Sequence, residues 1–129
     1  ISDRADSLFR QLRGRPSEEL EWRKDYQVVV TENGEDKEFE KLSGGEKMGA
    51  ALAIRLAILN VLSDVDVVFL DEPTTNLDGE KRGNLVDQIQ DLPGFEQLTV
   101  VSHDDTFESL TENAITLEKK DGATRVVNQ

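Results

Sequence analysis

Apolar residues recur at helical spacing from the first position of the chain. Ile1, Ala5, Leu8 and Leu12 fall on one face, with Arg, Asp and Gln on the other, which predicts an amphipathic helix over residues 1–12. Gly14 and Pro16 end it. Such a helix either packs on the domain or is the stub of a coiled coil entering from upstream, and its length fits both. From Tyr26 to Thr31 the residues are β-branched and extended. Asn33-Gly34 then supplies a turn, and Lys37 to Lys41 returns with Phe39 as apolar anchor, predicting a β-hairpin.

Gly45 to Leu62 reads as a long helix. Met48, Leu52, Leu56 and Leu59 form its stripe, and Ala50, Ala51, Ala53 and Ala57 allow close packing around it, so it is expected to be buried on much of its surface. Val65 to Leu70 is short, β-branched and nearly all apolar, the pattern of a central strand covered on both faces. Gly79 to Leu92 is helical and closed by Pro93-Gly94; Leu98 to Ser102 is a second buried strand; Asp104 to Thr111 is a short helix. Ala114 to Glu118 and Thr124 to Val127 flank Asp121-Gly122 as a terminal β-hairpin. Strand, helix, strand, helix in the middle implies an α/β fold, a mainly parallel sheet flanked by helices, with ligands at the carboxyl ends of its strands. Asp71-Glu72 and Ser102-His103 both stand at such ends.

Length and charge narrow the partners. The 129 residues suffice for one compact domain, and a first residue of Ile1 leads us to expect a piece of something longer. The apolar run after Met48 is broken by Arg55 and Asn60, short of a membrane span, and the start has no signal-peptide pattern. Absence of cysteine excludes a disulfide framework and suits a reducing compartment. The net charge of −12 argues against a broad nucleic-acid footprint on this segment, so DNA contact is expected mostly from elsewhere. A salt-loving source and an ordinary acidic domain both fit that charge.

Four elements carry candidate chemistry. Leu42-Ser43-Gly44-Gly45-Glu46-Lys47 heads the long helix; its glycines let backbone N–H groups approach a ligand, and a helix start there makes an anion site. Asp71 and Glu72 leave an apolar strand together, so Asp71 can serve a magnesium ion while Glu72 orients an attacking water. Asp78 lies just beyond and equally suits the N-cap of the next helix. His103, the only histidine, follows a β-branched strand and could hydrogen-bond a terminal phosphate. Arg55 sits within an apolar helix, either buried with a partner or snorkelling to the surface. No Gly-x-x-x-x-Gly-Lys-Ser/Thr loop is present, so these elements form half of an active site.

In this order the elements resemble an ABC ATPase head. Leu42 to Lys47 looks like the signature motif, Val67 to Pro73 the Walker B strand, Thr75-Asn76-Leu77-Asp78 the D-loop, and Ser102-His103-Asp104 the switch histidine. Glu46-Lys47, followed by Ala-Ile-Arg-Leu-Ala at Ala53 to Ala57, is similar to the SMC-like DNA-repair ATPases of the Rad-fifty/SbcC type. The resemblance implies a C-terminal lobe of the head over residues 14–129 and the end of a coiled-coil helix over 1–13. It implies ATP and Mg²⁺ as cofactors, with Asp71 supporting the metal and Glu72 and His103 acting at the γ-phosphate. Ser43, Gly44, Gly45 and Glu46 would bind nucleotide in trans, Asn76 and Asp78 would lie at the dimer interface, and Lys47 and Arg55 would relay nucleotide state.

The partners so implied are an N-terminal lobe carrying the phosphate loop, a second head in a homodimer, a nuclease of the Mre-eleven/SbcD type, and DNA, with no membrane. The location implied is the cytoplasm, nucleoid-associated in a prokaryote, or the nucleus. Three rivals stand beside it: a chromosome-structuring SMC head, disfavoured by Pro73-Thr74; a transporter ATPase, disfavoured by the missing Gln-Arg after the signature; and a non-enzymatic dimerisation module.

Overall fold

Helix α1, Ser2–Arg13, buries Ala5, Leu8, Phe9 and Leu12, the face its spacing predicts together with Phe9. It ends at Gly14 in a Schellman arrangement, with Gly14 N–H donating to Gln11 O at 3.0 Å and Arg15 N–H to Arg10 O at 3.2 Å. The computed structural model describes residues 1–62, 66–75, 77–90, 92–103, 107, 111 and 113–127. Within it α1 is an integral part of the core, packed on the second helix, the first strand and the third helix.

An antiparallel sheet follows: β1 (Glu18–Trp22), β2 (Val28–Glu32) and β3 (Glu35–Glu38). The expected hairpin is β2–β3, turned by Asn33 and Gly34 at φ 52° and 82°, the paired positive values of a type I′ turn. Its return strand is shorter than expected, because Phe39–Lys41 forms a 3-10 turn. β1 has no counterpart in the sequence pattern. It pairs Leu20 with Val30, both buried, and its free edge is covered by α1: Leu20 N–H donates to Asp6 Oδ1 at 2.8 Å and Trp22 N–H to Ser2 Oγ at 3.0 Å.

Helix α2, Gly44–Leu62, buries Ala50, Leu52, Ala53, Leu56 and Ala57 against α1. Of the expected stripe, Met48 is half-buried and Leu59 is exposed, as are Val61 and Leu62 in the last turn. Strands β4 (Val67–Asp71) and β5 (Gln97–Val101) pair in parallel, Asp71 opposite Val101, and α3 (Gly79–Gln90) makes the crossover with Leu85, Val86 and Ile89 buried. Burial of β4 on both faces is not what the structure has. Val68 is buried, whereas Val67 is 41% and Phe69 72% exposed, because no described element lies over that face.

The terminal hairpin is β6 (Thr116–Lys120) and β7 (Ala123–Val127), joined at Asp121-Gly122 as its pattern predicts. Its paired Leu117 and Val126 are both exposed. The short helix expected from Asp104 to Thr111 lies outside the described residues except for Phe107, which is helical, and Thr111. Among the described residues no helix is long and apolar enough to cross a membrane.

Candidate active site and signature loop

The strand β4 ends at Asp71, and Glu72 leaves it in the left-handed region at φ 47°. For a residue with a Cβ this conformation costs of order 1–3 kcal/mol and persists only where its surroundings fix it. Three bonds do so here. Glu72 N–H donates to Val101 O at 2.8 Å, and Glu72 O accepts from Thr75 N–H at 3.2 Å and Thr75 Oγ1 at 2.9 Å.

The side chain of Glu72 thereby meets the end of β5. Its Oε1 accepts His103 N–H at 3.0 Å and contacts His103 Nδ1 at 2.7 Å, and Ser102 Oγ donates to Oε2 at 3.4 Å. The bond from the His103 ring is the main reason the Glu72 carboxyl is held below the usual carboxylate range; desolvation opposes it. An ionised carboxylate only accepts, so the His103 ring donates to it from Nδ1. Asp71 is exposed and, by strand alternation, shares the uncovered face with Val67 and Phe69.

Beyond Glu72 the chain turns tightly, Leu77 N–H donating to Thr74 O at 3.1 Å with Leu77 and Thr74 buried. Asp78 is exposed at the head of α3, where its carbonyl accepts Arg82 N–H at 2.9 Å. Asn76 lies outside the described residues.

Ser43 opens α2 with a capping box. Glu46 Oε2 accepts Ser43 N–H at 2.6 Å, and Ser43 Oγ accepts Glu46 N–H at 3.4 Å. Ser43 and Gly44 are exposed, while Gly45 and Glu46 are buried. The Glu46 carboxylate, expected at the nucleotide, is therefore turned back toward its own loop. Burial raises its pKa, but the Ser43 N–H and hydroxyl, with Lys37 and Arg13, outweigh that and leave it lowered. Lys47 Nζ donates to Glu40 O at 2.9 Å, tying the helix to the 3-10 turn before it. Arg55 is exposed, so the snorkelling alternative holds.

The structure thus brings Glu72, Ser102 and His103 together and holds Ser43, Glu46 and Lys47 as a separate group. The side-chain bonds of the second group run to residues 37–46. Sequence reasoning overlooked Ser102 as a partner of Glu72 and the capping role of Glu46. The Ser-x-x-Glu spacing at Ser43–Glu46 was the available signal for the second.

The chain is similar to known proteins in sequence and in fold. Residues 19–91, over half the chain, match the model of the family described as SbcC/RAD50-like, Walker B motif. The DNA double-strand break repair Rad50 ATPase of Thermoplasma volcanium is 34% identical over 107 residues, covering 79% of this chain and 12% of that protein. The Rad50 ATPase of Archaeoglobus fulgidus is 37% identical over 102 residues, 77% of this chain and again 12% of the relative. The chain thus spans about an eighth of the length of these relatives.

Among solved structures, one from work on ATP-driven dimerisation and DNA-stimulated activation of SMC ATPases matches with TM-score 0.82 at 22% identity, over 98% of this chain and 81% of that one. The SMC head domain of Thermotoga maritima matches with TM-score 0.72 at 19% identity, over 98% and 46%. At these identities the structures establish the fold alone. The family match, the order of motifs and the head fold lead to one assignment: the chain belongs to the SbcC/RAD50-like family, as the C-terminal lobe of its ABC ATPase head.

Proposed function

We propose that this chain is the C-terminal half of an ATP-hydrolysing head in a DNA double-strand-break repair complex. The observation that carries the reading is the Glu72 carboxylate held by His103 at the carboxyl end of the parallel strands, beside exposed Asp71. Asp71 offers a hard oxygen ligand, while the Glu72 oxygens are engaged by His103 and Ser102. That donor set suits Mg²⁺, which keeps most of its ligands as water and phosphate. When bound with ATP, the ion supplies charge neutralisation on the phosphoryl oxygens.

The chain's own residues do the rest. Glu72, kept ionised, accepts a proton from and orients the attacking water. His103 tethers that carboxylate through its Nδ1–H, and Nε2, once protonated, donates to the terminal phosphate. Ser43 and the Gly44 and Gly45 N–H groups, at the mouth of α2, cap the nucleotide held by an opposing head, with Asn76 and Asp78 at the seam. Lys47 and Arg55 relay that contact along α2.

Two features support a partner lobe. There is no phosphate loop in the sequence, and no described element covers the face bearing Val67, Phe69 and Asp71, where Val67 and Phe69 make an apolar patch of the kind that marks an interaction surface. A lobe supplying the phosphate loop would cover Phe69 and bring nucleotide to Asp71. In the assembled protein the head dimerises on ATP and regulates a nuclease of the Mre-eleven/SbcD type and DNA tethering, with α1 as the end of the coiled coil.

The test is Mg²⁺-dependent ATP hydrolysis by this chain alone and mixed with a phosphate-loop-bearing N-terminal lobe of the same protein. Turnover only in the mixture is the expected result. Turnover by the chain alone, or silence in a mixture shown to be folded and associated, would sink the reading.

A further inference from the structure

Three carboxylates and three cations meet behind the signature loop. Glu18 is wholly buried, and Arg13 forks its carboxylate at 3.0 and 3.2 Å while Arg15 reaches it at 3.1 Å. Arg15 also lies 3.6 Å from Glu32. Lys37 completes the series, with Nζ 2.8 Å from Glu32 Oε2 and 3.5 Å from Glu46 Oε1. Oxygens of Glu18, Glu32 and Glu46 lie within 4.8 Å of one another, a spacing at which like charges repel unless cations stand between them. The three basic side chains already fill that role, so the cluster is an ion-pair network and no metal site.

Glu46 is where the network touches the signature loop. One of its oxygens faces Lys37 and the other accepts the Ser43 N–H at 2.6 Å. A glutamate in the first turn of a helix has several staggered rotamers open to it, most of them pointing to water. A cation fixed on the inner side selects the one that turns back. Lys37 is such a cation: it stands opposite Val30 in the sheet register, on a strand whose position is set by the Asn33-Gly34 turn.

We propose that Lys37 is a positioning residue for the nucleotide-facing loop: by holding Glu46 Oε1 it keeps Glu46 Oε2 on the Ser43 N–H and so sets where the Ser43 hydroxyl and the Gly44 N–H face. The inference rests on the reading that this loop meets the nucleotide of an opposing head. Lys37 itself touches neither nucleotide nor the reacting atoms. Loss of the lysine loosens the loop and weakens nucleotide capture, while Glu72 and His103, on another element, are left in place. The signature of its role is a change in KM without a matching change in kcat.

The experiment uses the full-length ATPase carrying Lys37→Met, Lys37→Arg, Glu32→Gln or Ser43→Ala. It measures KM and kcat for ATP, the ATP concentration for half-maximal head dimerisation, and the thermal midpoint. For Lys37→Met we expect KM and the dimerisation midpoint to rise roughly three- to tenfold, with kcat within about twofold of wild type. Lys37→Arg restores both values. Glu32→Gln, which unseats Lys37 and leaves Glu46 intact, shifts KM in the same direction and stands in for Lys37→Met if that variant does not fold. A lowered thermal midpoint with unchanged KM in both Lys37→Met and Glu32→Gln overturns the proposal, provided Ser43→Ala is impaired. If Ser43→Ala also matches wild type, the reading of the loop itself fails.

Discussion

Glu72 Oε1 accepts two bonds from one residue, the main-chain N–H of His103 at 3.0 Å and its ring Nδ1 at 2.7 Å. The main-chain bond does not depend on the ring, so it would remain if the imidazole were removed or turned away. Under the proposed function, orientation of the carboxylate and contact with phosphate would thus be divided between two groups of a single residue.

Glu72→Gln keeps an acceptor for the His103 N–H and removes the charge. Folding should be unaffected, and single-turnover hydrolysis by the assembled head should fall roughly 10²- to 10⁴-fold, the usual worth of a positioned general base. Rapid-quench measurement of phosphate release checks it.

His103→Ala removes the main cause of the lowered Glu72 pKa. In the native chain the folded value lies below the unfolded one. The pair therefore contributes stability above the ordinary carboxylate range, and this is lost as pH falls through the lowered folded value. Titration of the Glu72 side-chain carboxyl by NMR should show its midpoint moving up in His103→Ala. The acid limb of unfolding should then lose the contribution of this pair. An unmoved midpoint would mean that the ring does not govern the carboxylate.

Gly94 follows α3 at φ 93°, where its carbonyl accepts Asn60 Nδ2 at 3.0 Å, and Arg4 joins Asn60 Oδ1 at 3.0 Å and Pro93 O at 2.8 Å. A Cβ here would stand 2.3 Å from Asn60 Nδ2 and 2.9 Å from Arg4 Nη2. Gly94→Ala combines a disfavoured backbone with displacement of both side chains. A loss of about 1–3 kcal/mol in denaturant unfolding is expected.

Arg13→Met leaves the fully buried Glu18 with Arg15 alone, and Arg15 is half exposed. Removing one partner of a buried ion pair strands the other charge, and with Arg15 remaining the cost should sit near the low end, about 3 kcal/mol. The double change Arg13→Met with Glu18→Leu should recover most of it in thermal unfolding.

Much of the fold could be read from spacing. The Ala5, Leu8 and Leu12 face of α1, the Leu52 and Leu56 part of the α2 stripe, the Asn33-Gly34 turn, the β4–α3–β5 crossover and the last hairpin follow local patterns that the structure repeats. β1 was hidden because Glu18 occupies an inward position where alternation calls for an apolar side chain, and only Arg13 and Arg15, from outside the strand, make that tolerable. The uncovered face of β4 was misread for a different reason: Val67 and Phe69 report that a strand is suited to burial, and say nothing of which chain covers it. At the candidate site, Asp71, Glu72 and His103 were marked by their place after apolar strands. Ser102 meets Glu72 across 30 residues of sequence, and Lys37 meets Glu32 and Glu46 across a hairpin turn and a 3-10 turn, contacts that no apolar periodicity displays.

The free edge of β1 has a practical consequence. Ser2 and Asp6 occupy two of its amides as a neighbouring strand would, so α1 serves as the sheet's terminal partner. Any version of this segment trimmed past Asp6 would present open amides beside Leu20 and Val30. Such a fragment is a template for intermolecular strand pairing, so a cut beyond Asp6 is expected to make the segment prone to aggregate.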